Sequence, residues 1–200
     1  MRALINGVEL TLETSPELFS PSAPDIGTLA MLDSAEISSS DRVLDLGCGC
    51  GIVGIYCAKK FGCEVTMCDV LPRAAEISQK NAEKNGVCAK VFVSDGYDGL
   101  PGGKFTLILS NPPYHTDFSV AKRFVEGGFE RLELGGRMMM VTKRRQWYEN
   151  KLRAVFGGVK VREKDGYFIF TAEKRSEQPP KKENRRGGMS KKLRRKRGAT

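Results

Sequence analysis

The segment NPPYH (residues 111–115) places polar and aromatic groups directly after FTLILS, an apolar run typical of a buried strand. Its two adjacent prolines remove two backbone donors, prevent a helix from starting there and stiffen the chain. An amide, a phenol and the only histidine of the chain therefore share a rigid corner. Such a corner can hold a planar ligand by hydrogen bonds and stacking, or it can be a rigid surface turn.

A second candidate site is the glycine-rich segment LDLGCGCGIVG (residues 44–54), which follows a predicted strand and opens a predicted helix. Gly49, Gly51 and Gly54 match the G-x-G-x-x-G fingerprint of dinucleotide-binding loops. Asp45 disfavours a pyrophosphate, which prefers a helix N-terminus without a nearby anion. It favours a ligand with a positive amino group, such as S-adenosylmethionine (SAM), which has an ammonium, a sulfonium and no phosphate. A nicotinamide-dependent oxidoreductase is the alternative.

Three acidic residues, Asp45, Asp69 and Asp95, fall at the ends of three successive predicted strands. The carboxyl ends of parallel strands form the ligand-binding edge of an α/β sheet. The glycines of the loop would let the backbone approach a ligand closely. With SAM as the ligand, Asp69 would accept hydrogen bonds from the ribose hydroxyls and Asp95 from the adenine amino group.

Strands and helices must alternate to position these segments. The predicted strands are residues 42–47, 64–70, 89–95, 105–110 and 136–143, and the predicted helices are residues 25–37, 52–62, 73–86, 120–132 and 146–156. Alternating runs around Asn6-Gly7 predict an N-terminal hairpin, and residues 159–174 predict a closing hairpin turned at Asp165-Gly166. This alternation indicates an α/β protein with a mostly parallel sheet covered by helices on both faces.

From about residue 19 to residue 174, the order of elements resembles the class I SAM-dependent methyltransferase family. Residues 45–51, DLGCGCG, are similar to its D-x-G-x-G-x-G cofactor loop, and Asp69 and Asp95 match its ribose-side and adenine-side acids. The resemblance implies a Rossmann-like fold with a seven-stranded, mostly parallel sheet whose last strand is antiparallel.

The motif NPPY matches the N-P-P-[YF] motif of methyltransferases that act on planar amino nitrogens: adenine N6, guanine N2 or the glutamine amide. The side-chain oxygen of Asn111 and the carbonyl of Pro112 can accept the two hydrogens of such an amine. Pro113 stiffens the corner, and the ring of Tyr114 can stack on the planar substrate. These four residues are the predicted catalytic group, and positioning rather than a strong general base supplies the catalysis.

The extended motif, NPPYH, resembles the small-domain methyltransferase (MTS) group, which includes ribosomal RNA small-subunit guanine-N2 enzymes. Phe19, Asp25, Gly27 and Thr28 are similar to an upstream pattern of that group and are candidates for the pocket rim. Asp25 could instead only cap a helix, and His115 could be a local hydrogen-bonding group or line the substrate mouth. The residues predicted to bind the cofactor are Thr28, Asp45, Gly47, Gly49, Gly51, Asp69, Val70, Asp95, Gly96 and Asn111.

The net charge of +9 is concentrated at the C-terminus. Residues 174–200 contain 12 basic and 2 acidic residues, a balance of +10, which leaves −1 for residues 1–173. With almost no apolar residues, this segment cannot bury enough surface to fold alone. We therefore predict a methyltransferase domain over residues 1–173 and a basic, disordered tail over residues 174–200. The basic run Lys181–Arg197 would bind phosphates and favours RNA as partner; a solubilising tail or a nuclear address is the alternative.

The leading functional hypothesis is SAM-dependent methylation of guanine N2 in ribosomal RNA. The alternatives are adenine N6 methylation of transfer RNA or DNA, glutamine methylation of a release factor, and a non-catalytic RNA-binding protein.

No apolar run reaches about 18 residues and no signal-peptide core is visible, so we expect a cytoplasmic protein without a membrane partner. The six cysteines, within residues 48–88, lack a CxxC pair, which favours buried thiols in a reducing compartment over a metal site.

Overall fold

The fold is built on a seven-stranded sheet in a computed structural model that describes residues 1–18, 20–112 and 118–180. A separate two-stranded hairpin precedes this sheet. The strands are β1 (Arg2–Ile5), β2 (Val8–Thr11), β3 (Arg42–Leu46), β4 (Glu64–Asp69), β5 (Lys90–Val93), β6 (Phe105–Ser110), β7 (Leu132–Thr142), β8 (Lys160–Lys164) and β9 (Tyr167–Glu173). The helices are α1 (Ile26–Ser34), α2 (Ile52–Phe61), α3 (Pro72–Lys84), α4 (Ser119–Arg131) and α5 (Arg145–Phe156).

The strand order of the large sheet is β5-β4-β3-β6-β7-β9-β8. β3 pairs in parallel with β4 and β6, and β6 in turn pairs in parallel with β7. β9 lies antiparallel between β7 and β8. The predicted mostly parallel sheet with an antiparallel last strand is confirmed.

The sheet is buried on both faces. Successive side chains of each strand point to opposite faces, and each face packs into its own hydrophobic core. One core packs the sheet against the N-terminal hairpin, α1, α2 and α3, and it contains Val43, Met67, Leu109 and Met139. The opposite core packs the sheet against α4 and α5, and it contains Leu44, Leu46, Met138 and Met140. Because both faces are buried, the sequences of the central strands contain consecutive apolar residues rather than alternating apolar and polar ones.

The two predicted hairpins form with the expected turns. Asn6 and Gly7 have φ values of 45° and 82°, and Asp165 and Gly166 have φ values of 52° and 76°. Positive φ at both central residues is what a two-residue turn needs to follow the twist of its strands. The first hairpin is tied to α3 because the Asn85 side chain donates to the Thr11 carbonyl and accepts from its N–H.

Two element boundaries differ from the predictions by more than two residues. α1 ends at Ser34, so residues 35–37 lie outside the helix; Ala35 is extended, and Asp41 caps the following turn by accepting from the Ser38 N–H. β7 begins at Leu132 rather than at residue 136, because Leu132 pairs with Phe105 of β6.

The chain reverses direction across the sheet between β3 and β6. After β3 it proceeds outward through β4 and β5, and after β6 it proceeds the other way through β7. The connections that leave β3 and β6 therefore diverge, and a crevice opens at the carboxyl ends of these two strands. Ligands of open α/β sheets bind at such a switch point.

Candidate functional site

A cavity of about 520 Å³ lies at this switch point. Its size suits a nucleoside-sized ligand. Most of the predicted cofactor and substrate residues line it: Thr28, Asp45, Gly47, Gly49, Asp69, Val70, Asp95, Gly96, Asn111 and Pro112. The structure thus brings the glycine loop, the strand-end acids and the start of the NPPY motif to one place.

Asp45 is a buried carboxylate at the inner wall of the cavity. Its side chain is 2% exposed, and Oδ2 accepts the backbone N–H of Gly54 at 2.9 Å. Burial, opposed by this hydrogen bond and reinforced by the charge of Asp69, raises the pKa of Asp45 to about 7. No basic side chain of the loop neutralises it, so Asp45 disfavours an anion and suits a cationic group.

Asp69 fixes the conformation of the glycine loop. Its Oδ2 accepts the N–H of Gly49 at 2.9 Å, and its Oδ1 accepts the N–H of Leu71 at 3.0 Å. The loop is held further because the N–H groups of Gly47 and Cys48 both donate to the carbonyl of Cys68 at 2.9 Å. Asp69 therefore organises the loop in addition to lining the cavity.

Gly51 has a different role from the other loop glycines. It is absent from the cavity lining and caps α2 with a φ of 81°. A Cβ at this position would also lie 3.0 Å from Oγ of Ser78. Gly51 is required by the turn and by the close approach of α3. Its predicted contact with the cofactor stays a prediction.

Three residues of α4 that the sequence analysis did not identify line the cavity: Val120, Arg123 and Phe124. The ring of Phe124 contacts both glycine turns: a Cβ added at Gly47 or at Gly96 would lie 3.7 Å or 3.8 Å from it. Arg123 forms an ion pair with Asp95, with Nη1 2.6 Å from Oδ2. None of these residues carried a local signal, since all three belong to an ordinary amphipathic helix.

Asn111 follows β6 and has an oriented side-chain amide. Its Nδ2 donates to Oδ2 of Asp25 at 2.9 Å and to Oγ1 of Thr28 at 3.0 Å. Its Oδ1 is buried and has no hydrogen-bond partner within the described residues. An unpaired buried acceptor is costly, and here it lies beside a ligand-sized cavity.

Asp25 serves both roles that the sequence analysis weighed. It caps α1 by accepting the Thr28 N–H at 2.9 Å, and it also lines the cavity beside Asn111. The phenol of Tyr167 donates to its other oxygen at 3.2 Å. Tyr167 and its link to Asp25 were not foreseen from the sequence.

Several predicted residues lie outside the described part of the chain: Phe19, Pro113, Tyr114, His115 and the basic run Lys181–Arg197. Their roles stay predictions. β9 ends at Glu173, at the predicted end of the domain, and the division into domain and tail likewise stays a prediction.

The cysteines that surround the glycine loop are buried thiols. Cys48, Cys50 and Cys68 line the cavity, and burial raises the pKa of all three. Cys57 and Cys63 are also buried, whereas Cys88 is exposed.

Within the described ranges, no group of three or more His, Cys, Asp and Glu residues could hold a metal ion. No helix there combines the length and apolarity that crossing a bilayer requires.

The sequence that builds this site matches a known family. The sequence model described as "Methyltransferase small domain" covers residues 9–171. The chain belongs to the methyltransferase small domain family. The predicted family and fold are confirmed.

Relatives within the family extend well beyond this chain. The chain is 37% identical over 151 residues to a ribosomal RNA small subunit methyltransferase C of Pseudoalteromonas atlantica, covering 73% of this chain and 44% of that protein. It is 32% identical over 164 residues to the Escherichia coli protein of the same name, covering 80% and 48%. The chain thus spans about half the length of these curated relatives.

A similar solved structure is the 16S rRNA N2 methyltransferase of Thermus thermophilus in complex with AdoMet and guanosine. Its TM-score is 0.82 at 29% identity, covering 88% of this chain and 50% of that chain. A methyltransferase from Pyrococcus furiosus has a TM-score of 0.67 at 21% identity and shares the fold.

Proposed function

We propose that this chain is a SAM-dependent methyltransferase that modifies the exocyclic N2 amino group of a guanine in ribosomal RNA. The observation that carries the proposal is the oriented amide of Asn111. Its Oδ1 is a buried acceptor without a partner in the described residues, at the edge of the cavity. An amino group that approaches this atom would supply the missing hydrogen bond.

The shape and charge of the cavity support SAM as the cofactor. Gly49 leaves space for a close approach, since a Cβ there would meet no atom within 4 Å. The ring of Phe124, beside Gly47 and Gly96, provides an apolar surface for a planar adenine. Asp45 suits the ammonium of SAM and would repel the pyrophosphate of a dinucleotide. Asp69 would accept hydrogen bonds from the ribose hydroxyls, and Asp95 from the adenine amino group. When bound, SAM supplies a methyl group that its sulfonium has already activated.

The residues of the chain would act by positioning the amine. An exocyclic amine is a weak nucleophile because its lone pair is delocalised into the ring. Asn111 Oδ1 and the carbonyl of Pro112 would accept its two hydrogens, which turns the lone pair toward the methyl group. Tyr114 would hold the base by stacking. Bringing the reacting atoms to about 3–3.5 Å in a fixed orientation lowers the barrier without a strong general base.

A basic and aromatic surface beside the site supports a nucleic acid as the substrate. Lys143, Arg144 and Arg145 are exposed and follow β7, whose end adjoins the end of β6 and hence Asn111. The guanidinium of Arg144 lies 5.3 Å from the ring of Phe118, which stacks on Trp147 at 4.4 Å. Cationic and aromatic groups together bind phosphates and unstacked bases. The tail, Lys181–Arg197, would add phosphate contacts.

Ribosomal RNA is the proposed substrate because two curated relatives and the Thermus thermophilus structure carry that substrate in their names. We place the protein in the cytoplasm, where ribosomes and SAM are both available. The same chemistry would serve adenine N6 or a glutamine amide, so the substrate is the point that an experiment must decide.

The test uses tritiated SAM and ribosomal RNA from cells that lack the gene. Naked RNA and small subunits are supplied separately, and the labelled RNA is digested to nucleosides. We expect label as N2-methylguanosine in small-subunit RNA. Label in N6-methyladenosine, or in protein only, would contradict the proposed substrate while retaining the methyltransferase activity. Binding of NAD and not of SAM in calorimetry would contradict the whole proposal.

A further inference from the structure

We infer that Asp25 is a positioning residue that sets the orientation of the Asn111 amide and so makes Asn111 an acceptor toward the substrate. The inference deepens the proposed function and rests on it. Asp25 and Asn111 are 86 residues apart in sequence and meet at the rim of the cavity. Through this contact, the segment that precedes α1 holds the side-chain amide of Asn111.

The orientation follows from what each partner can accept. A carboxylate only accepts hydrogen bonds, so the group of Asn111 that faces Asp25 at 2.9 Å must be its NH₂. The second hydrogen of this NH₂ goes to the hydroxyl oxygen of Thr28 at 3.0 Å. Thr28 could also donate to a rotated amide, but Asp25 could not. Asp25 is therefore the partner that excludes the opposite orientation.

Asp25 is itself held on three sides. Its Oδ2 accepts from the Thr28 N–H at the start of α1, and its Oδ1 accepts from the phenol of Tyr167. Gly27 permits this close packing, since a Cβ there would lie 2.5 Å from Tyr167 Cδ1 and 2.9 Å from Asp25 Oδ2. The ammonium of Lys143 lies 4.9 Å from the ring of Tyr167. The carboxylate thus has little freedom to turn away from Asn111.

The consequence is selection for a substrate group that donates. With the NH₂ of Asn111 engaged by Asp25 and Thr28, only Oδ1 remains for the cavity, and it is buried. An amino group satisfies this atom, whereas a carbonyl oxygen at the same place would face another acceptor. Asp25 therefore contributes to the preference for an exocyclic amine by fixing the orientation of Asn111.

A double-mutant cycle separates this role from a structural one. With Asn111 present, we expect Asp25→Ala to lower kcat by about tenfold or more, because the amide is free to rotate. In the Asn111→Asp background there is no amide to orient, and Asp25 only adds a second carboxylate at close range. There, Asp25→Ala is expected to raise kcat. A residue that only caps α1 or only binds SAM would lower activity in both backgrounds, and that result would overturn the inference.

Two controls accompany the cycle. Asp25→Asn keeps an oxygen that can cap α1 and accept from Asn111, so it should lose less activity than Asp25→Ala. Calorimetry with SAM should give dissociation constants within about threefold of each other for the variants. A loss of SAM affinity that accounts for the fall in turnover would contradict a positioning role.

A measurement without turnover keeps the inference testable if the proposed function fails. The side-chain NH₂ resonances of Asn111, identified by their loss in Asn111→Ala, are expected to exchange slowly with solvent in the wild-type protein. Asp25→Ala should speed this exchange, whereas Asp25→Asn should preserve slow exchange. Equal exchange rates in all three proteins would show that Asp25 does not hold the amide, whatever the substrate is.

Discussion

Arg123 of α4 lies 2.6 Å from Asp95 in the turn after β5, so an ion pair links a helix to a strand end at the mouth of the cavity. Both side chains are about half exposed. An exposed pair is screened by water and salt, so its attraction contributes little to folding. Its position at the proposed adenine side of the site is therefore more informative than its strength.

We expect Arg123→Ala to leave the free energy of unfolding nearly unchanged, because the ion pair is exposed to solvent. Urea unfolding at low and at high salt measures this directly. The difference between the variant and the wild type should shrink further at high salt, because screening already weakens the pair. A large loss of stability in the variant would mean that α4 depends on this contact.

The aromatic ring of Phe124 provides the second prediction. Phe124→Leu removes the planar surface between Gly47 and Gly96, and we expect the dissociation constant for SAM to rise about tenfold, the scale of a stacking contact. Phe129→Leu is the matched control, because Phe129 is buried on the same helix but packs on Phe156 away from the cavity. Calorimetry on both variants distinguishes binding from packing; equal losses of affinity would contradict the assignment.

The raised pKa of Asp45 predicts that the stability of the protein depends on pH. Its folded-state pKa of about 7 lies above the ordinary value of 3.8. The folded state therefore binds more protons than the unfolded state between these values, and stability falls as the pH rises toward 7. Between pH 5 and pH 8 we expect the unfolding free energy of the wild type to fall by about 2–3 kcal/mol relative to Asp45→Asn. Urea unfolding of both proteins at the two pH values measures the difference, and a constant difference would contradict the raised pKa.

The same carboxylate should govern ligand affinity. A bound ammonium favours the ionised form of Asp45, so the affinity for SAM should increase about fivefold from pH 6 to pH 7.5, below the pH at which the amino group of SAM itself loses its proton. Asp45→Asn should bind weakly at both pH values, with this pH dependence lost. Calorimetry at the two pH values is the measurement, and a pH dependence that persists in the variant would assign the titration to another group.

Gly27 tests the packing behind Asp25. A methyl group at this position would overlap the ring of Tyr167, so Gly27→Ala should destabilise the fold by about 1–3 kcal/mol and lower turnover. Gly102→Ala is the control, because a Cβ at Gly102 meets no atom within 4 Å. Thermal unfolding and methyl-transfer assays of both variants should separate them; a silent Gly27→Ala would mean that the contact yields easily.

The sequence predicted those features of the fold that depend on residues close together in the chain, such as the two hairpin turns. Asn6-Gly7 and Asp165-Gly166 form the expected turns because few other residues adopt positive φ at both positions. The start of β7 at Leu132 was not predictable in this way, since its pairing with Phe105 depends on a strand distant in sequence.

The same distinction applies to the residues of the candidate site. The acids and glycines at the strand ends were identified because each lies at a recognisable junction between elements. Arg123 and Phe124 were missed because only tertiary packing brings them to the cavity, and Tyr167 was missed because only tertiary packing brings it to Asp25. Gly51 was assigned to the cofactor on its motif, yet it lies outside the cavity lining and serves the start of α2.

The central claim is that Asn111 positions an amine for methyl transfer. The most direct measurement compares wild type and Asn111→Ala for tritium transfer from SAM to small-subunit ribosomal RNA, with calorimetry of SAM binding on the same samples. We predict a loss of transfer of at least about 100-fold and a rise of less than about tenfold in the SAM dissociation constant, since Asn111 is one of ten residues predicted to bind the cofactor. Undiminished transfer by the variant would contradict the claim.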